Sequence, residues 1–314
     1  MSGLIQKAGF ILIAICFAAP AHAGMKSDLA NCPGGLGAKS AKACTRIIKS
    51  GRLPKKKHYI AYYNRGWAYR NAGDYKRAHR DFNRVVKLKR SFAEGYYSRA
   101  VVLYDRGKKS DSIKDLDRYV KYKKKGKWVA YYGRALMLRR LKHRRRALSD
   151  LREAEKLEPS EHKIVVMRAL ILSDQGKHDE ALDTIDSVIE AHPNDAEALH
   201  ARAVILFRQK EFDDAEAELD EAMRLRKSYE AAYLLRGQIL EKRRQYKRAR
   251  DQYERALATS AKSVEQLYAQ KTARARIRAL DRRSGPTVVS SSTSSDCRRF
   301  IPAANMTIAI KCKK

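Results

Sequence analysis

The stretch AYYNRGWAYR, residues 61–70, returns as GYYSRAVVLY at residues 95–104 and as AYYGRALMLR at residues 130–139. A doublet of tyrosines, an arginine two residues on and a small residue after it therefore recur at intervals of 34 and 35 residues. No other feature constrains the fold as tightly. A fixed period of this size means one supersecondary unit repeated, and each copy must bury its apolar face against the next.

With Tyr62, Tyr96 and Tyr131 set at position 4, the frame extends through six copies. Position 8 is Gly66, Ala100, Ala135, Ala169, Ala203 and Gly237, and position 20 is Ala78, Ser112, Ala147, Ala181, Ala215 and Ala249. Position 11 is Tyr69, Leu103, Leu138, Leu172, Leu206 and Leu240, and position 24 is Phe82, Leu116, Leu151, Ile185, Leu219 and Tyr253. Large apolar residues at 4, 11 and 24 with small ones at 8 and 20 predict two amphipathic helices in close approach. Turn signals separate them, as around Gly73, Gly107 and Gly176.

This pattern resembles the tetratricopeptide repeat, a helix–turn–helix unit of about 34 residues. Pro159 and Pro193 stand where that family's repeat-ending proline belongs, and the other four copies lack it. The resemblance implies an all-α solenoid of six repeats: 59–92, 93–126, 128–161, 162–195, 196–229 and 230–262, with one inserted residue near Gly126.

The flanks read differently. Lys7 precedes an apolar run from Ala8 to Ala19, too short to span a bilayer as a helix, and Ala21-His22-Ala23 supplies small residues for cleavage. Residues 1–23 are expected to be a secretory signal, with Gly24 starting a periplasmic or secreted chain; Ile15 before Cys16 argues against a lipid anchor. Cys32, Cys44, Cys297 and Cys312 then remain, and four cysteines allow three connectivities. The near pairs, Cys32–Cys44 and Cys297–Cys312, are the economical choice. Each would close a loop of about 13–16 residues and contribute roughly 3 kcal/mol in the chain-entropy account.

Residues 24–58 read as an N-terminal cap, in which Ala41, Cys44, Ile47 and Ile48 share a helical face before Gly51. ACTRIIKSGRL ahead of AYYNRG resembles the leader of small exported tetratricopeptide proteins of Gram-negative bacteria. Residues 263–283 read as a capping helix whose stripe, with Leu267 and Ala269, gives way to exposed Arg274, Arg276, Arg278, Arg282 and Arg283. Residues 284–296 read as a flexible Ser/Thr-rich linker. Residues 297–314 read as a small disulfide-closed β-hairpin turning at Pro302 to Asn305.

Position 7 is arginine in every copy: Arg65, Arg99, Arg134, Arg168, Arg202 and Arg236. Position 23, on the second helix, is Asp81, Asp115, Asp150, Thr184, Glu218 and Gln252, with Asp183 and Asp251 one residue earlier where the acid is missing. Guanidinium and carboxylate should meet across each helix pair as a bidentate fork, a structural staple and not an anion-binding ladder.

In the family resembled here, positions 2, 5, 9, 12 and 13 of the first helices commonly line a concave groove. The resemblance implies a peptide-binding groove of Tyr63, Trp67, Arg70, Tyr97, Tyr104, Tyr132, Leu136 and Arg139. The first tyrosine of each doublet should pack between repeats and the second should face the groove. The family's clamp for C-terminal carboxylates needs lysine at 5 and asparagine at 9, and neither occurs. The expected occupant is a segment of another protein, and the expected role a scaffold in the bacterial envelope.

A second reading comes from charge. The net charge is +33, but residues 51–150 carry 31 Lys/Arg against 8 acids while residues 151–230 carry 11 against 20. Basic runs at turns mark a candidate anion-binding edge of Lys123, Lys124, Lys125, Arg144, Arg145, Arg146, Arg243 and Arg244. The alternative role is an electrostatic tether, and for an exported chain the expected polyanion is an anionic envelope polymer or lipid head, ahead of nucleic acid. An acidic middle between basic ends also permits head-to-tail self-association. Eight histidines are scattered without metal-ligand spacing, and no Gly-rich phosphate loop, nucleophile elbow or EF-hand pattern occurs. No enzyme activity, metal or cofactor is expected.

Overall fold

The computed structural model describes residues 28, 31–32, 38–51, 53–258 and 264–283, and three short strands beyond them. The secretory signal expected at residues 1–23 lies outside the described residues, as does Cys312, and with it the expected Cys297–Cys312 clasp.

Helix α1 spans Ala38–Lys49, and a single 3-10 turn, Lys55–Lys57, leads into the repeats. Six helix pairs follow: α2 His58–Asn71 with α3 Tyr75–Leu88, α4 Ala93–Asp105 with α5 Lys109–Tyr122, and α6 Lys127–Arg140 with α7 Arg144–Leu157. The others are α8 His162–Asp174 with α9 His178–Ala191, α10 Ala196–Gln209 with α11 Phe212–Leu225, and α12 Glu230–Lys242 with α13 Tyr246–Ala258. The first helix of each pair is termed A and the second B; α14, Val264–Arg283, follows. The repeat period thus produces the all-α solenoid architecture expected of it.

The chain divides into two compact units, Met1–Ala191 and His192–Lys314. In the first, α1 is locked in place by the Cys32–Cys44 disulfide, which appears as expected. Cys32, Cys44, Ile47, Leu53 and Ala61 form a buried cluster there, and Arg46 pairs with Asp28. Further along, Leu136, Leu138, Leu151, Ile164, Met167 and Ile171 join neighbouring repeats into one core. In the second unit, α14 lays Ala273 and Leu280 onto Leu240, Ala249, Tyr253 and Ala256. Its Arg274, Arg276, Arg278 and Arg282 face solvent.

Every residue at position 24 is at most 1% exposed, and the five alanines at position 20 are wholly buried, as is Ser112, whose hydroxyl donates to the Ala100 carbonyl. Position 8 follows position 24. Where 24 is aliphatic, position 8 is alanine; where 24 is Phe82 or Tyr253, it is glycine. A Cβ on Gly66 would stand 2.8 Å from the Phe82 ring, and one on Gly237 2.3 Å from the Tyr253 ring. The helix approach is fixed, so extra ring volume on B must be met by a missing methyl on A.

The A-to-B turn needs a left-handed residue at position 15. Gly73, Gly107 and Gly176 supply it in three repeats, whereas Lys142, Lys210 and Arg244 adopt φ of 65°, 72° and 60° in the others. A side chain in this region costs about 1–2 kcal/mol, so these turns are held by the packing of their helices.

Near the C-terminus, strands β1 Val288–Val289, β2 Cys297–Ile301 and β3 Met306–Ile310 form an antiparallel sheet in that order. Cys297 faces Ile310 and Ile301 faces Met306 across the expected hairpin. Val288 and Val289 fall in the stretch read as a linker, yet they pair with Arg299 and Arg298 as a third strand. Two consecutive β-branched residues were the signal within that Ser-rich run.

Candidate functional site

The arginines at position 7 divide into two groups. Arg65, Arg99 and Arg134 grip Asp81, Asp115 and Asp150 through two parallel N–H donors each, at 2.6–2.8 Å. The third donor group, Nη1, reaches backward: Arg65 to Thr45 at 3.0 Å, Arg99 to Asn83 at 2.9 Å and Arg134 to Asp117 at 3.0 Å. One guanidinium therefore staples its own helix pair and ties it to the preceding helix. The first tyrosine of each doublet covers it, with the Arg65, Arg99 and Arg134 carbons 5.3, 5.7 and 5.8 Å from the Tyr62, Tyr96 and Tyr131 ring centres. Fork and cover explain why tyrosine and arginine recur together.

Repeats 4–6 depart from this. Asp183 and Asp251, expected to replace the missing acids, are exposed. Arg168 turns back to Glu155 at 2.8 Å, and Arg236 turns back to Asp220. Arg202 meets Glu218 with its Nη1 2.9 Å from Oε1. An aspartate one residue off leaves the inward face by roughly 100°, so a backward acid on the neighbouring helix wins.

The expected groove is smaller than the sequence suggested. Tyr63 is 1% exposed and Trp67 4%. Both rings join Phe82 in an edge-to-face cluster, and Phe92, the last residue of repeat 1 and N-cap of α4, closes over Tyr63 at 5.3 Å between ring centres. Burial pushes the Tyr63 hydroxyl up to about 12. In repeat 1 it is the second tyrosine that enters the core, while Tyr62 stays half-buried. Leu136 is also buried. Phe92 lies outside the groove positions, so the frame gave no warning of it.

Arg70 and Arg139, expected as groove cations, are structural as well. Arg70 bonds Asp105 of the next A helix at 2.9 Å with both side chains buried, and Arg139 bonds Asp174 across the same spacing with both side chains partly buried. Arg276 and Glu241 repeat the contact with the charges exchanged, at 3.2 Å. Each pair is 35 residues apart, one repeat on. That spacing of opposite charges was readable in the sequence.

Tyr97, Tyr104 and Tyr132 remain half-buried on the A helices of repeats 2 and 3. Tyr97 lies against Tyr119 at 5.1 Å, and a Cβ on Gly133 would stand 3.3 Å from the Tyr119 ring and 3.5 Å from the Tyr97 ring. Trp128 meets the edge of Tyr132 at 6.5 Å. The sequence did not single out Val204, Phe207 and Leu234, at positions 9, 12 and 5 of the second unit, which are also half-buried. Of the basic edge, Lys123 pairs with Glu94, Arg146 with Asp117, and Arg243 with Asp213 and Glu216. Lys124, Lys125, Arg144, Arg145 and Arg244 have no ion-pair partner among the described residues, and all but half-buried Arg144 are exposed. No group of His, Cys, Asp or Glu among the described residues could hold a metal, and no described helix is long and apolar enough to cross a membrane.

The crystal structure of a tetratricopeptide repeat protein from Parabacteroides merdae matches this fold at 16% identity, covering 75% of this chain and 91% of that one with a TM-score of 0.59. The structure of the APC/C hetero-tetramer Cut9–Hcn1 matches at 14% identity, covering 74% of this chain and 46% of that one with a TM-score of 0.50. At such identities the likeness is one of fold. No curated protein is significantly similar in sequence. The family model for the tetratricopeptide repeat matches residues 63–126, 132–196, 166–230 and 200–264, well over half of the sequence. Its frame is the one in which the paired helices, their small residues and their inward arginines fall, and the chain belongs to the tetratricopeptide repeat family.

Proposed function

We propose that the protein is a non-catalytic scaffold of a bacterial cell envelope that holds an extended or helical segment of another protein against the A helices of repeats 2 and 3. Tetratricopeptide repeat proteins in general are protein-interaction scaffolds. The observation that carries the reading is what remains once the internal contacts are assigned. Tyr97, Tyr104 and Tyr132 keep part of their surface at groove positions of adjacent repeats, while the surrounding arginines are committed to aspartates. Tyrosine rings offer large contact area at small entropic cost, which suits an interface. The leader-like N-terminus and the Cys32–Cys44 bond suit an oxidising compartment outside the cytoplasm.

The test is partner capture from an envelope fraction by the mature chain and by a Tyr97→Ser, Tyr132→Ser variant. The reading expects a defined partner that the variant loses at low and high salt alike, at a temperature where its helical spectrum matches that of the parent. Equal capture by both proteins contradicts it.

A further inference from the structure

The turn joining α6 to α7 and the end of α8 enclose an open recess of about 630 Å³, lined by Lys142, His143, Arg144, Arg145, Arg146 and Gln175. Four of the six are permanent cations and none is acidic. Arg146 is held by Asp117. Asp174, next to Gln175, is held by Arg139. Lys142, Arg144 and Arg145 have no ion-pair partner among the described residues, so three uncompensated positive charges within four residues line the recess.

A further observation bears on this turn. Arg144, Arg145 and Arg146 are the first turn of α7, where the helix dipole favours acids, and no side chain caps it. The neighbouring turns are built otherwise, with Asp111 in the first turn of α5 and Asp179 and Glu180 in that of α9. On the α9 side the positive charge therefore stops at Asp179 and Glu180, whereas on the α5 side exposed Lys108 and Lys109 stand beside Asp111.

We propose that this recess binds a compact, multiply phosphorylated group. Arginine forks match phosphate oxygens two at a time, and a ligand with adjacent phosphates offsets three clustered cations in one place. The volume lies within the range of small-ligand sites, about 300–1,000 Å³. Such a group arrives either as a soluble polyphosphate or as the phosphorylated head of a membrane glycolipid. The site is separate from the tyrosine face and stands independently of it.

The mature chain is titrated with sodium tripolyphosphate by calorimetry, then floated with phosphatidylcholine vesicles with and without a bisphosphorylated glycolipid. Tripolyphosphate is expected to bind, and Arg144→Gln with Arg145→Gln to weaken it at least tenfold with the helical spectrum unchanged. Lys124→Gln with Lys125→Gln, and Tyr97→Ser with Tyr132→Ser, should leave affinity within about twofold. Flotation with glycolipid vesicles, competed by tripolyphosphate, identifies the membrane source; binding without flotation identifies the soluble one. Absence of binding, equal binding by the Arg144/Arg145 variant, or equal loss in the Lys124/Lys125 variant would overturn the proposal. A single-stranded oligonucleotide that binds more tightly than tripolyphosphate through the same arginines would overturn it too.

Discussion

Repeats 1–3 and repeats 4–6 carry arginine at the same position and use it differently. In the first three, the arginine side chains are 14–16% exposed and grip aspartates that are 2–7% exposed through two bonds apiece. Arg168 and Arg202 are each 35% exposed and pair with Glu155 and Glu218, which are 35% and 17% exposed. Arg236 reaches an Asp220 that is 71% exposed. An invariant residue within a chain is therefore no guarantee of an invariant job. The acid opposite, which varies, sets both geometry and burial. Buried forks impose one register on a helix pair, whereas half-exposed pairs are screened by water.

The sharpest break of this comparison is Asp115→Ala. It strands the Arg99 guanidinium with Asn83 alone and should cost about 3–5 kcal/mol, read from urea unfolding or from exchange of amides in repeat 2. A cost below that of the Glu218→Ala change in repeat 5 would erase the distinction. The glycine-for-ring exchange offers a second contrast. Gly66→Ala drives a methyl into the Phe82 ring and should cost about 1–3 kcal/mol, largely recovered by adding Phe82→Leu. If the double change is no better than the single one, the close approach is not what selects glycine.

Smaller effects sharpen the same picture. Thr184→Asp places a carboxylate at the fork position of repeat 4, opposite Arg168, and should gain about 0.5–1 kcal/mol in a double-mutant cycle with Arg168→Gln. Zero coupling would mean that Glu155 already holds Arg168 beyond reach. Asp220→Ala, at the exposed backward contact of repeat 6, should change stability by less than about 0.5 kcal/mol, with the unfolding midpoint as the measure.

The fold was legible because its determinants are periodic. Small residues at 8 and 20 and large ones at 11 and 24 report helix approach directly, and six copies average away local exceptions. The forks of repeats 1–3 were legible for the same reason. The partners of Arg168 and Arg236 were not, because they sit on the preceding B helix, and a frame drawn within one repeat does not register contacts to the one before. The groove was over-read for a related cause. Position alone placed Tyr63 and Trp67 on a surface, but Phe82, Phe92 and the size of the rings decided their burial. Arg70 and Arg139 occupy groove positions, and only a comparison across one full repeat brings Asp105 and Asp174, 35 residues on, opposite them. The sheet was half-visible. Alternation announced the β2–β3 hairpin, while β1 is two valines inside a Ser-rich run.

What most directly tests the account is where a partner touches. A photo-crosslinking residue is placed in the cell at Tyr104, on the A face, at Arg84, exposed on the B helix of repeat 1, and at buried Tyr63. The account predicts one adduct of defined mass from position 104, absent from positions 84 and 63, and reduced when Tyr97 and Tyr132 are both serine. The same adduct from position 84, or none from position 104 while position 84 yields one, would contradict it.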